Sequence, residues 1–531
     1  MPQSNRLTGR RALTAPIAAC LLLAAAPALG AELRWASPTD PQSMDPHAVN
    51  SAPVLGFLNN VYEGLVRRDK NMAIEGSLAE RWEPIGTDGW RFHLRQGVTF
   101  HDGAAFTAED VLFSYERASS EEADTRAWFA PVKEVKIVDD HTIDFLTHAP
   151  NPIFPDSIAN FMILDKGWAE ANGAERPARD QETFATLNAN GTGPFTLASR
   201  EPGVSTVLEP HAGWWDTAEH NLTKATFLPI SNPATSVAAL LTGEVDLINP
   251  VPVQDVDRIA SNEALTLHRG IEARVIMLGF GHSHDTLKYA DEPGGKNPFQ
   301  DVRVRKAVHQ AIDADAIVDK IMRGNAEVAS QLVSPQMKGY STAAARRAGF
   351  DPDAAKSLLA EAGYPDGFSF GLMCPNDRYI NDEAACKAIA SMLAKVGIKT
   401  NLTAMPVRNY WKELRAGNYD MYLLGWSPGT FDAEHPIRFL VTTPNTEKKL
   451  GSWNFGGYSN ARVDDLLPQI QKEIDADARQ AMLDEVATIV KDDVVYVPLH
   501  IQPLLWGSKG NIDLTQRADN FVMLRWITVN E

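Results

Sequence analysis

Apolar positions along this chain follow two spacings, and they alternate most clearly between residues 368 and 424. Residues 368–373, 398–405 and 420–424 are short apolar runs of strand length. Between them, residues 382–396 place Ala385, Ala388, Ile389, Met392, Leu393 and Val396 on one helical face, and residues 407–416 form a second helical segment. Gly397 and Gly417 stop the two helices. The pattern predicts a βαβαβ unit. Right-handed crossovers make its three strands parallel. The loop after the first strand (374–380, CPNDRYI) and the loop after the third (425–436) then share one sheet edge. In open α/β sheets, ligands bind just beyond the carboxyl ends of the strands.

The same spacings predict strands at 32–35, 90–94 and 142–146, and a helix at 54–65 through Leu55, Leu58, Val61, Tyr62 and Leu65. Thr107 and Asp110 fit a capping box that opens a helix carrying Val111, Leu112 and Tyr115. Residues 225–249 read strand, helix, strand, and 274–279 is a further apolar strand. Helices start at Asp301, Asp313 and Asp351, residues 464–489 are mostly helical, and 496–499 and 504–506 are extended. The segment 67–210 mixes short strands, helices and prolines, and reads as a unit of its own. The polar, Gly-rich stretch 281–297 marks a boundary. The expected organisation is a leader at 1–30, a first lobe at 31–278 with 67–210 as an extra subdomain, a second lobe at 279–503, and a return to the first lobe at 504–531. A chain that crosses its boundary twice has a hinge, here near 275–282 and 500–506.

The shared sheet edge gathers candidate chemistry: Asn376, Arg378 and Tyr379 from one loop, and Trp426, Asp432 and His435 from the other. The N-terminus of the 382–396 helix points there, and its free N–H groups favour an anionic or acceptor group. Arg378 adds a planar donor fork. This edge can grip a polar or zwitterionic ligand. The alternative is that Asp432 and Arg378 form a structural ion pair or sit on a solvated rim.

Composition narrows the class. The chain has 531 residues, 44% hydrophobic and 22% charged, and a net charge of −18. It is too long for one compact core and lacks the basic face that a nucleic-acid partner requires. Arg6, Arg10 and Arg11 precede an uncharged apolar run from 13 to 29, and Ala28-Leu29-Gly30 fits a cleavage site, so the N-terminus reads as a secretory signal peptide. Loss of the three arginines takes the charge to −21. Arg10-Arg11 loosely resembles a twin-arginine signal. No later stretch has the length and apolarity of a membrane span. Cys374 and Cys386 remain in the mature chain. In an oxidising compartment they are expected to pair, and the alternative is two buried thiols.

The string with the most catalytic appearance is Gly425-Trp426-Ser427-Pro428-Gly429, a literal G-x-S-x-G. A nucleophile elbow needs the backbone N–H of the residue after the serine in its oxyanion hole. That residue is Pro428, which has none. His282-Ser283-His284-Asp285 lies in a polar stretch with no identifiable distant partner and reads as a solvated loop. No cofactor, metal site or catalytic constellation is expected, and a serine hydrolase is the remote alternative.

Several strings resemble the family 5 extracellular solute-binding proteins, the dipeptide-, oligopeptide- and nickel-binding group of ABC importers. They are Tyr62-Glu63-Gly64-Leu65; residues 91–103 (RFHLRQGVTFHDG); Phe106-Thr107-Ala108-Glu109-Asp110-Val111; Gly191-Thr192-Gly193-Pro194-Phe195; Asp301-Val302-Arg303-Val304-Arg305-Lys306-Ala307; and Leu393-Ala394-Lys395-Val396-Gly397-Ile398. They occur in the family's order and cover nearly the whole mature chain. The resemblance implies an α/β, two-lobed periplasmic-binding-protein fold of type II, with an extra subdomain in lobe one and a hinge between lobes. It implies no catalysis. A monomeric periplasmic protein would engulf a small solute and deliver it to a permease and ATPase complex in the inner membrane. Tyr62 and Glu63 join the candidate ligand contacts on this ground. Peptide binders of the family carry an aspartate three residues past the Gly-Trp tryptophan, where it pairs with the peptide amine. Here that position is Gly429. A peptide-like ligand is the leading expectation. An opine, an oligosaccharide, another amide or a metal chelate are the alternatives.

Overall fold

The computed structural model describes residues 30–179, 181–291 and 295–531, so the expected leader lies outside the described residues apart from Gly30. An eleven-stranded sheet dominates. Its strands are β1 (Ala31–Ser37), β2 (Phe195–Glu201), β3 (Ser205–Pro210), β4 (Leu222–Pro229), β5 (Leu247–Ile248), β6 (Leu265–Phe280), β7 (Glu327–Val328), β8 (Ser369–Pro375), β9 (Lys399–Met405), β10 (Met421–Trp426) and β11 (Tyr496–Lys509). The order is β9-β8-β10-β6-β11-β5-β1-β4-β3-β2, and β7 pairs with β11.

The βαβαβ pattern folds as its periodicity predicts. β8 pairs in parallel with both β9 and β10. At the far end of the sheet, β1 is parallel to β4 and β5. The long antiparallel pair β6–β11 joins these two parallel groups. Its register runs from Leu265↔Lys509 to Ile271↔Pro503, breaks, and resumes at Val275↔Ile501, leaving Glu272, Ala273 and Arg274 beside Gln502. Apolar side chains pack separately on the two sides of this break. Leu33, Trp35, Phe57 and Phe227 belong to one cluster, and Ile276, Leu278, Leu372 and Leu423 to another.

Within the expected 67–210 unit, Ala79–Pro84, Gly89–Leu94, Thr142–Thr147 and Val132–Asp139 form their own antiparallel sheet over Phe92, Phe145 and Phe154. β2 and β3 extend the large sheet instead. The expected capping box is present, with the Thr107 N–H donating to Asp110 at 2.9 Å.

The helix expected over 54–65 stops early: α1 spans Ala52–Leu58. The carbonyls of Asn60 and Val61 accept the N–H groups of Phe195 and Gly193, which draws the chain out of the helix. Gly193 permits this approach, because a Cβ there would lie 2.6 Å from the Val61 carbonyl oxygen. Cys374, in β8, is disulfide-bonded to Cys386, on α2 (Asp382–Ala394).

Candidate functional site

The segments after β1 and β5, the start of α1, residues 519–522, the β6–β11 break and Arg378 enclose a cavity of about 620 Å3. Trp35, Phe57, Phe227 and Phe521 line it with apolar surface, and Asn249, Glu272, Arg274, Arg378, Gln502 and Asn520 supply polar groups. Most of these charges are already spent. The Glu272 carboxylate accepts from Arg274 at 3.0 and 2.9 Å and from Gln502 Nε2 at 2.6 Å. Asp519, also on the wall, is paired with Arg517. Arg378 is different. Its guanidinium has no ion pair or hydrogen bond among the described residues and lies 5.4 Å from the centroid of the Tyr379 ring. The side chain keeps exposed surface, and partial desolvation by the surrounding walls, with the Arg274 charge beside it, holds its pKa below the usual guanidinium range. Asn249 is 7% exposed and its carboxamide oxygen has no donor. The cavity therefore offers a ligand one unneutralised cation, while the unpaired Asn249 oxygen lies buried in its wall, and an unmade charged interaction favours a group that satisfies it.

The loop that carries Arg378 is fixed at several points. Asp382, in the first turn of α2, accepts the N–H groups of Arg378 and Tyr379 at 3.0 Å each. Asp377 accepts the Val407 N–H at 2.6 Å, which holds the loop against α3 (Val407–Arg415). Asn376 donates its N–H to Met405 O at 3.0 Å and leaves its side chain exposed. Tyr379 is buried, with its hydroxyl 3.5 Å from the Gly425 carbonyl. The disulfide closes the loop from Cys374 to Cys386.

A cavity at the junction of two sheet halves, with the chain crossing between them on β6 and β11, is the geometry of a two-lobed binder. The family model for bacterial extracellular solute-binding proteins, family 5 Middle, matches residues 73–448. The chain belongs to the family 5 solute-binding proteins. It is 27% identical over 500 residues to the glutathione-binding protein GsiB of Salmonella typhi, an alignment covering 92% of this chain and 93% of the relative. Among solved structures it resembles the periplasmic binding protein DppA of Helicobacter pylori in complex with the peptide STSA, with a TM-score of 0.75, 24% identity, and 94% and 98% of the two chains covered. It also resembles AgaA of A. tumefaciens R10 in complex with agropinic acid, with a TM-score of 0.74, 22% identity, and 94% and 99% covered. Members of family 5 bind small peptides or other solutes and work with ABC permease and ATPase components.

Within this family 5 frame, the other residues singled out from the sequence lie away from the cavity lining. Asp432 is 0% exposed and pairs with Arg479, both oxygens at 2.8 Å, rather than with Arg378. Trp426, His435, Phe439 and Trp453 pack at tilted and edge-to-face angles in an aromatic cluster. The Trp426 Nε1 and the His435 Nδ1 are buried there without partners, and burial, with Arg438 nearby, pushes the His435 imidazole down to about 3. Tyr62 is 1% exposed in the core. Glu63 accepts Trp215 Nε1 at 2.7 Å and Thr192 Oγ1 at 3.0 Å, which ties the 62–65 string to the 191–195 string, and burial raises its pKa. Gly429 is exposed, and a Cβ there would have nothing within 4 Å, so the position is open and carries no carboxylate. No cluster of three or more His, Cys, Asp or Glu among the described residues could hold a metal ion, and none of the described helices is long and apolar enough to cross a membrane.

Sequence reading missed Asn249, Glu272, Gln502 and Asn520. A signal for two of them exists. Glu272 and Arg274 stand two apart, hence on one strand face, just before the apolar run 275–280, and Gln502 interrupts the apolar run 496–506.

Proposed function

We propose that this chain is the capture component of an ABC importer for a small peptide-like solute with a free carboxylate. Arg378 meets the carboxylate, and closure of two lobes encloses the solute before delivery to the permease and ATPase complex. The observation that carries this reading is the unpaired guanidinium of Arg378 on the wall of the 620 Å3 cavity. The relatives support the ligand class: glutathione and STSA are both peptides with free carboxylates.

In this reading the hinge is the β6–β11 break at 271–275 and 501–503, and the lobes are about 31–278 and 279–503, with 504–531 returning to the first. The N-terminal 30 residues direct export to the periplasm. The protein acts as a monomer, without catalysis or a cofactor. Asn376 and Tyr379 support Arg378. Trp426, Asp432, His435, Tyr62 and Glu63 hold the frame.

Calorimetric titration of the mature protein with glutathione, di- and tripeptides, and their carboxamides tests the carboxylate. Peptides should bind, and their amides should bind at least about tenfold more weakly, the scale of one charged hydrogen bond. Equal affinity for acid and amide would overturn the role of Arg378. A second reading, an opine or another amino-blocked acid, is favoured by Gly429, which offers no carboxylate to a free amine. Agropinic acid in the same panel separates the two.

A further inference from the structure

A second cavity, of about 210 Å3, adjoins the first. Pro38 and Pro250 line both, and Ile380, two residues past Arg378, lies on the wall of the smaller one. Apart from Asn381, the rest of its lining comes from just beyond the carboxyl ends of β4 and β5, where Ile230, Pro233, Val251 and Val253 are apolar and Ser231, Ser236 and Gln254 are polar. The parallel strands β1, β4 and β5 thus end in a polar chamber and an apolar chamber side by side. Asn249 stands at their junction, adjacent in sequence to the shared Pro250, and its buried carboxamide oxygen is unpaired.

We propose that the smaller cavity is a specificity subsite that takes an apolar side chain of the solute, next to the carboxylate held by Arg378. This rests on the carboxylate reading above and adds the chemistry of the neighbouring group. Ile380 follows Arg378 by two residues and lies on the wall of the smaller cavity, so a solute whose carboxylate meets Arg378 has its neighbouring side chain at the boundary between the two cavities. That side chain then lies beside the walls formed by Pro38 and Pro250. Apolar walls of this kind reward removal of hydrocarbon from water and offer a charged side chain nothing in return. The subsite selects branched aliphatic or aromatic groups over glycine and over acidic side chains.

Titration of the mature protein with Gly-Leu and Gly-Gly decides the matter, since the two share a carboxylate and differ in one apolar group. Gly-Leu should bind at least about tenfold more tightly, the scale of burying a leucine side chain. Ser231 and Gln254 line the subsite from exposed positions, so Ser231→Trp and Gln254→Trp fill it with little strain on the fold. Each should bring the ratio of the two affinities to within about twofold of one. Equal affinities in the unaltered protein, or a ratio that neither tryptophan changes, would overturn the subsite. If neither peptide binds, the peptide reading fails, and the same comparison is made by thermal shift with 4-methylpentanoate against acetate. Stabilisation by the branched acid alone, lost in Ser231→Trp, supports the subsite, and an equal response to both acids refutes it.

Discussion

The loops 376–381 and 427–436 leave adjacent parallel strands, β8 and β10, at the same edge of one sheet, and they spend their polar side chains in opposite ways. The first keeps its cation unpaired and turns it into the cavity. In the second, Asp432 is bonded twice to Arg479, and Glu434 accepts from Gln471 at 2.6 Å and is ion-paired with Arg438 at 3.2 Å. Its backbone reaches a segment far away in the chain. The Thr430 carbonyl accepts Arg68 Nη2 at 2.9 Å, and the Arg68 guanidinium stacks 4.6 Å from the centroid of the Phe431 ring. Phe431 sits at φ 54°, a left-handed conformation that costs a non-glycine residue energy and persists where the surroundings over-determine it. Strand-end topology brings both loops to the same edge of the sheet. Under the proposed function, pairing then decides which loop is left to meet a solute.

This contrast is most exposed at Asp432. If the loop at 427–436 is framework, Asp432→Ala leaves the largely buried Arg479 without its counter-ion. The expected loss is about 3 to 5 kcal/mol of folding stability, the cost of breaking a buried pair by removing one partner. Urea denaturation measures it. A loss below about 1 kcal/mol together with weakened binding would invert the assignment of the two loops.

The disulfide tests the other loop. Replacing Cys374 and Cys386 by alanine opens a loop spanning 12 residues in sequence and should cost about 3 kcal/mol through chain entropy. Both sulfurs are buried, so thermal unfolding with and without reductant, compared with the double variant, reads this directly. Unreduced protein with two titratable thiols would remove the constraint altogether.

Much of this architecture is legible in the sequence, for identifiable reasons. The βαβαβ unit is clean because its helices are amphipathic and glycine ends each one, as at Gly397 and Gly417, both at positive φ. The 54–65 helix is over-read because Val61, Tyr62 and Leu65 serve two clusters of the core rather than one helical face. β6 is under-read, since only its second half, 275–280, is continuously apolar and its first half carries His268, Arg269, Glu272 and Arg274. At the site, Arg378 is readable from its place after a strand. Asn249 and Asn520 are not, because they come from segments far apart in the chain that only the fold brings together. Spacing alone also gives no means of telling a free carboxylate from one already paired, as Asp432 is with Arg479.

Arg378→Ala is the mirror image of Asp432→Ala. Nothing among the described residues depends on that guanidinium, so stability should change by less than about 0.5 kcal/mol, as at an ordinary surface position. Binding of a carboxylate ligand should weaken by about 1.5 to 3 kcal/mol. Calorimetry and denaturation on the same sample separate the two quantities. Unchanged affinity would leave the cavity without its anchor.

The smallest effect belongs to the contact between lobes. Lys338 Nζ lies 2.9 Å from both oxygens of Asp156 and reaches from the 279–503 segment to the 67–210 segment. The lysine side chain is 54% exposed, so the pair contributes only about 0.2 to 1 kcal/mol. Asp156 keeps Arg68 at 3.7 Å, so Lys338→Met does not leave its carboxylate unpaired and the fold should hold. The contact spans the two lobes, so its loss should act on the balance between open and closed forms. Apparent affinity should then fall by at most about fivefold for every solute alike. The deficit should shrink at high salt, where the exposed pair is screened in the unaltered protein as well. Small-angle scattering of the ligand-free variant should show a larger radius of gyration than the unaltered protein at low salt. A variant whose affinity drops for one solute only would place Lys338 at the site, and the loop at 427–436 would then share the recognition now given to Arg378.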